Sequence, residues 1–318
     1  MTVAELNTPL KSSTNVAFRN ILVATDFSEP SRRALLEAAT LATENNAQLS
    51  VIHVLPPDPT KATFDNPPEL DLEHLAAETQ IRALLDELKP AQKISTFIKQ
   101  GHVALQVLSL IEEKAIDLLV IGTRGRGGLR KLALGSVAEE LLRVAPCPVM
   151  TLAPHVETAA CTPGTGLHTI LFATDFGKGS AKALPLTLAL ARAQHAQLIL
   201  LHMIPPIPSS SASLSAYAPA TAAAEEVERY EGSSRKRALR QLKECLPAET
   251  GLAQEPKYVV GTDFLTEGIL TASANFNVDL IVMGANRSAS AKVAAHIPWT
   301  AVHEVVRDAP CPVLTVVG

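Results

Sequence analysis

Val23-Ala24-Thr25-Asp26-Phe27 returns as Phe172-Ala173-Thr174-Asp175-Phe176, 149 residues further along the chain. Ala47-Gln48-Leu49 returns at the same distance as Ala196-Gln197-Leu198, His53 as His202, and Pro56-Pro57 as Pro205-Pro206. Ile116-Asp117-Leu118-Leu119-Val120-Ile121-Gly122 returns as Val278-Asp279-Leu280-Ile281-Val282-Met283-Gly284. Ala145-Pro146-Cys147-Pro148-Val149 returns as Ala309-Pro310-Cys311-Pro312-Val313. Matched segments in one order make the chain a tandem duplication. The boundaries expected are a tail over 1–17, a first domain over 18–154, a linker over 155–166 and a second domain over 167–318.

Within the first half, strand and helix patterns alternate. Asn20–Thr25 is a short β-rich apolar run, and Ser31–Glu44 carries apolar residues at helical spacing, with Ser28 or Asp26 placed to cap it. Gln48–Leu55, Lys93–Lys99 and Val149–Ala153 read as strands, the second suited to an edge. Leu72–Leu88, Ala104–Lys114 and Ser136–Val144 read as helices. Leu118–Ile121 is apolar throughout, as strands covered on both faces are. This alternation predicts an α/β chain of two tandem doubly wound domains. Each would hold a five-stranded, mostly parallel sheet flanked by helices. Ile207–Ala224, rich in Ser, Ala and Pro, reads as a loop.

Composition narrows the function. Hydrophobic residues make up 47% of the chain and charged residues 19%, which fits packed domains rather than a disordered chain. With a net charge of −4 and the single Trp299, nucleic acid is not an expected partner. No apolar run approaches the ~18 residues of a membrane span. The N-terminal stretch lacks the pattern of a secretory signal, so membrane insertion is not expected and a cytoplasmic location is. Cys147 and Cys311, in matching Pro-Cys-Pro settings, read as buried apolar packing.

In a doubly wound sheet, ligands bind beyond the carboxyl ends of the strands. The stretch after Ile121 is Gly122-Thr123-Arg124-Gly125-Arg126-Gly127-Gly128-Leu129-Arg130-Lys131-Leu132-Ala133-Leu134-Gly135-Ser136. Glycines let backbone amides approach a ligand and form an anion-binding concavity. Gly135-Ser136 opens the next helix, whose free amides favour a phosphate. The stretch is neither a Walker A loop nor a dinucleotide fingerprint. A surface loop with solvated charges is the alternative reading.

The spacing Gly, two residues, Gly, nine residues, Gly-Ser resembles the nucleotide-binding pattern of the universal stress protein family. Gly122, Gly125 and Gly135-Ser136 match its fixed positions. The flanking strand, the Ala-Pro-Cys-Pro-Val that follows, Ala24–Ser28 and His53-Val54 are also similar to that family. The resemblance covers nearly the whole chain and implies the adenine nucleotide alpha hydrolase-like fold. It implies ATP with Mg2+ in the first domain. Ala24, Thr25 and Asp26 would lie at the ribose or metal-phosphate region, and the Val54 backbone at the adenine edge. Ile121, Gly122, Arg124 and Gly125 would line the ribose and phosphates, and Gly135, Ser136 and Val137 would cradle the phosphates. A helix N-cap is the alternative reading of Asp26 from the residues alone. No catalytic residue is assigned, and no metal-ligand set. The family dimerises through its last strand, so the resemblance also implies pairing of Val149–Ala153 with Val313–Val317 inside one chain. A homo-oligomer of chains stays open.

The second half keeps Gly284 but has Arg287 for the second glycine. Ile297-Pro298 stands at the Gly-Ser place, or Trp299-Thr300 if two residues are inserted. Proline removes an amide donor, so weak or no ATP binding is expected there. The function expected is an ATP-binding regulatory or stress-response protein with slow or no hydrolysis. A slow ATPase or nucleotidyl-transfer enzyme is the rival, and a carrier of an apolar molecule in the second half a third.

Overall fold

The computed structural model describes residues 18–57, 72–88, 94–123, 134–156, 166–204, 220–285 and 297–318, with side chains left aside for 220–227. The first half runs β1 (Asn20–Ala24), α1 (Glu29–Asn45), β2 (Gln48–Leu55), α2 (Leu72–Leu88), β3 (Ile94–Gln100), α3 (Val103–Glu113), β4 (Leu118–Gly122), α4 (Ser136–Val144) and β5 (Val149–Leu152). The second runs β6 (Thr169–Ala173), α5 (Lys178–Ala193), β7 (Gln197–Met203), α6 (Ala220–Glu244), β8 (Lys257–Gly261), α7 (Leu265–Asn275), β9 (Leu280–Ala285), α8 (Trp299–Asp308) and β10 (Val313–Val317).

The strands lie in the order β3-β2-β1-β4-β5-β10-β9-β6-β7-β8. Within each half every neighbouring pair is parallel, while β5 and β10 meet antiparallel. The last strand of each half is therefore interior to one ten-stranded sheet. β3 and β8 are its edges, and β3 has the mixed exposure its sequence suggested.

Two apolar layers cover the sheet, and each runs through both halves. One face holds α3, α4, α7 and α8, with Val107, Leu141, Ile269 and Val305 among the buried residues. The other holds α1 and α5, with Leu35, Leu41 and Leu190. Central strands bury both faces, which is why Leu118–Ile121 reads as an unbroken apolar run. Cys147 and Cys311 are buried in the first layer, and burial pushes both thiols up to about 12.

Two boundaries differ from expectation. α1 starts at Glu29, with Pro30 in its first turn, where its missing N–H costs nothing. The loop expected over 207–224 gives way to α6 at Ala220; residues 207–219 lie outside the described residues. The expected linker begins tied down. Arg33 donates to the Pro154 and Val156 carbonyls at 2.8 and 3.0 Å, His155 Nε2 bonds the Ala309 carbonyl at 2.8 Å, and Val156 is buried.

Candidate functional site

The strand order places a switch point between β1 and β4. The chain leaves β1 for α1 on one face of the sheet and leaves β4 for α4 on the other. A crevice at the carboxyl ends of the strands follows from that divergence. Ala24 is in register with both Ile52 and Ile121. Ala24-Thr25-Asp26, Val54 and Ile121-Gly122 therefore end three adjacent strands at one level. The Gly135 amide donates to the Thr123 carbonyl at 2.9 Å, which brings Gly135, Ser136 and Val137 to the same edge. Of the residues singled out from the sequence, these nine are brought together. Arg124 and Gly125 lie outside the described residues.

Their roles in the fold differ. Thr25 is buried: its Oγ1 is 3.1 Å from Ser31 Oγ and accepts from the Phe27 amide at 3.1 Å. Its side chain is thus committed to the turn. Ser28 is the N-cap of α1, and Asp26 Oδ1 accepts from the Ser28 amide at 3.1 Å and hydroxyl at 2.5 Å. Asp26 therefore acts on the cap rather than being it, at the carboxyl end of β1. Gly122 backs onto α1: a Cβ there would sit 2.9 Å from the Pro30 carbonyl carbon. Its missing side chain is required by packing. Gly135 is the N-cap of α4 with φ −65° and ψ 140°, open to any residue, and no side chain caps the helix at that position.

Sequence reasoning missed one feature that both halves share. Phe27 and Phe176 hold φ of 61° and 58°, left-handed values uncommon for bulky residues. Phe27 lies over His53 with ring centroids 4.3 Å apart, and Phe176 over His202 at 4.5 Å. His53 Nδ1 is 2.8 Å from the Thr25 carbonyl, and His202 Nδ1 2.8 Å from that of Thr174. A carbonyl only accepts, so Nδ1 carries the proton in each. Burial lowers the pKa of His202, which favours the neutral ring. These imidazoles brace the turn that carries the aspartate. The signal was available, because Phe and His both recur at the repeat distance. His102 precedes α3, exposed, 3.9 Å from Glu140 on α4.

The second half closes the same edge. Asp175 Oδ1 accepts from the Gly177 amide at 2.8 Å and the Ser180 hydroxyl at 2.6 Å, and Oδ2 accepts from the Ile297 amide at 2.7 Å. One carboxylate thus joins the end of β6, the start of α5 and the chain entering α8. The buried residues of α8, Val302, Val305 and Val306, match Ala138, Leu141 and Leu142 of α4. That register puts Trp299 at the place of Gly135 and Thr300 at that of Ser136, so the inserted alignment is the one adopted. Met203 holds the place of Val54. A Cβ on Gly261 or Gly268 would come within 2.6 or 2.0 Å of its Cε, so the thioether fills the room those glycines leave. The first half has Lys99 and Gln106 at those two places.

Among the described residues no group of three or more His, Cys, Asp or Glu side chains is placed to hold a metal ion. No described helix is long and apolar enough to cross a membrane.

The family model for the universal stress protein family matches residues 17–152 and again 166–317. Universal stress protein A homolog 1 of Coxiella burnetii is 37% identical over 140 residues, 42% of this chain and 96% of the relative. Universal stress protein MJ0531 of Methanocaldococcus jannaschii is 34% identical over 152 residues, 46% of this chain and 88% of the relative. Each such relative corresponds to about one half of the chain. The crystal structure of a universal stress protein from Archaeoglobus fulgidus superposes with a TM-score of 0.61, covering 93% of this chain and 97% of its own at 18% identity. The likeness at that identity is one of fold.

Proposed function

We propose, from the fact that the chain belongs to the universal stress protein family, that it is a nucleotide-responsive regulatory protein holding one ATP, with Mg2+, in its first half. The carrying observation is which glycines the second half has lost. Gly122 and Gly284 both lie against the backbone opening the helix after the first strand, so the fold needs them in either half. The place of Gly135 needs no glycine for backbone reasons, yet it is glycine in the first half and Trp299 in the second. A glycine kept at dihedrals that any residue could adopt suits close approach of a ligand to the helix start.

The residues present fit such a group in part by side chain and in larger part by backbone. Gly135, Ser136 and Val137 would offer amides and one hydroxyl to phosphate oxygens at the start of α4. Val54 and Ala24 would offer backbone edges to the purine and ribose. Asp26, held by Ser28, would face the metal-phosphate region, with Mg2+ carried mainly by phosphate oxygens and water. Arg124 and Gly125 complete the proposed set. ATP would supply a polyanion for these amides to hold, and slow or no hydrolysis is part of the reading. The pairing of the two halves along β5 and β10 in solution, in the cytoplasm, is also part of it.

Equilibrium dialysis against radiolabelled ATP and Mg2+ tests the proposal. Saturable binding that falls by at least about tenfold in Gly125→Val supports it. Equal binding by that variant, with circular dichroism unchanged, refutes it.

A further inference from the structure

We propose that the seam between the halves is built to accept the other half of the same chain and to reject a like half from a second copy. The selecting residues lie on the local two-fold axis. This rests on the pairing of the halves along β5 and β10 proposed above.

The register of the seam locates the axis. Met150 opposes Leu314, Thr151 opposes Val313, and Val149 opposes Thr315. Met150 and Leu314 hold equivalent places, each two residues past Pro-Cys-Pro. Exchanging equivalent residues maps this set of pairs onto itself, so the axis passes between Met150 and Leu314. Glu139 and His303 are a second such pair, each six residues before the matching alanines Ala145 and Ala309. They too face each other across the seam, with Glu139 Oε1 3.6 Å from His303 Nε2.

A residue on a two-fold axis meets its own counterpart. In a pair of like halves, Glu139 would meet Glu139, or His303 would meet His303. Met and Leu are indifferent to that exchange. A carboxylate and an imidazole are not, because carboxylates directly opposed repel. His303 Nε2 is buried and makes no hydrogen bond, so Glu139 is the complementary group its surroundings supply. The other charged groups here are Arg143, 3.3 Å from Glu139 on the same helix, and Arg307, bound to Asp308 at 2.6 Å.

Contacts off the axis favour the unlike pair as well. The Arg143 guanidinium lies 5.8 Å from the Trp299 ring centre. Trp299 stands where the first half has Gly135, so two copies of the first half would leave Arg143 without a ring; Arg307 is the counterpart of Arg143, so this contact tells against the pair of first halves alone. On the other face of the sheet, Gln194 donates to Glu44 at 2.7 Å. The first half has Asn45 at the place of Gln194, and its amide is turned inward to the Leu41 carbonyl at 2.8 Å.

The covalent link between the halves masks this preference by raising their local concentration. The test therefore uses the full chain with a protease site inserted within residues 157–165, cleaved after folding, concentrated, and examined by native mass spectrometry. The expected result is the unlike pair alone, with like pairs below about one-tenth of it. His303→Glu, which opposes two carboxylates in the unlike pair, should bring the mixture toward the statistical 1:2:1. Exchanging both groups, Glu139→His with His303→Glu, should restore the preference. Halves that separate into monomers would overturn the seam itself. A stable unlike pair mixed with like pairs at 1:2:1 in the parent would overturn only the selection. An undiminished preference in His303→Glu would overturn its assignment to the axis.

Discussion

Asp175 Oδ2 accepts a hydrogen bond from the backbone amide of Ile297 at 2.7 Å, across 122 residues of chain. The contact ties the end of β6 to the entry of α8. Asp26, its counterpart in the first half, is bonded to Ser28 at the start of α1. Each aspartate bonds the start of the helix that follows it, and Asp175 also joins that turn to the chain entering α8.

Removing that tie should loosen α8. Asp175→Ala is expected to cost about 2 kcal/mol, since a charged acceptor with three donors is lost. Hydrogen exchange at the Ile297 amide should speed up in parallel. Urea denaturation gives the stability and exchange mass spectrometry the local opening; a variant unchanged in both would show the contact to be incidental.

The glycines should separate into two kinds. Gly284→Ala puts a Cβ 2.1 Å from the backbone of Gly179 and Ser180, and should destabilise the chain by about 3 kcal/mol. Gly122→Ala meets Pro30 at 2.9 Å and should cost about 1 kcal/mol. Gly135→Ala carries no dihedral strain at φ −65° and should cost only the Gly-to-Ala difference at an N-cap, about 0.5 kcal/mol. Midpoints of chemical unfolding rank the three, and equal losses at Gly122 and Gly135 would contradict the division.

Much of this was legible in the sequence. The repeat, the five strands of each half and their parallel order follow from apolar runs that alternate with helical spacing. Asp26 and Gly135 could be placed because strand ends and helix starts share one edge in this topology. What could not be read was contact between distant segments. Pattern alone did not distinguish Gly122, fixed by Pro30, from Gly135, whose φ of −65° and ψ of 140° any residue can adopt. The left-handed Phe27 over His53 depends on two strands meeting, and the Asp175–Ile297 bond on the end of β6 meeting the entry of α8. The start of α6 at Ala220 was hidden because an alanine-rich run beside serines and prolines carries no apolar stripe.

The buried thiols give a pH prediction. Burial holds Cys147 and Cys311 at about 12 in the folded chain against an ordinary 9.0. The unfolded chain therefore loses these protons first, and stability should fall as pH rises from about 9 toward 12. Cys311→Ala should flatten that limb, as read by denaturation midpoints at stepped pH. In the native chain at pH 8, neither thiol should react with a maleimide until the protein unfolds; mapping of the labelled peptides checks this.

The central claim is one nucleotide per chain, held by the first half. Isothermal titration of the full chain with ATP and Mg2+ tests it most directly. The stoichiometry should be one, and Gly135→Val should abolish the heat while leaving the unfolding midpoint near that of wild type. A stoichiometry of two, or an undiminished heat in Gly135→Val, would contradict it.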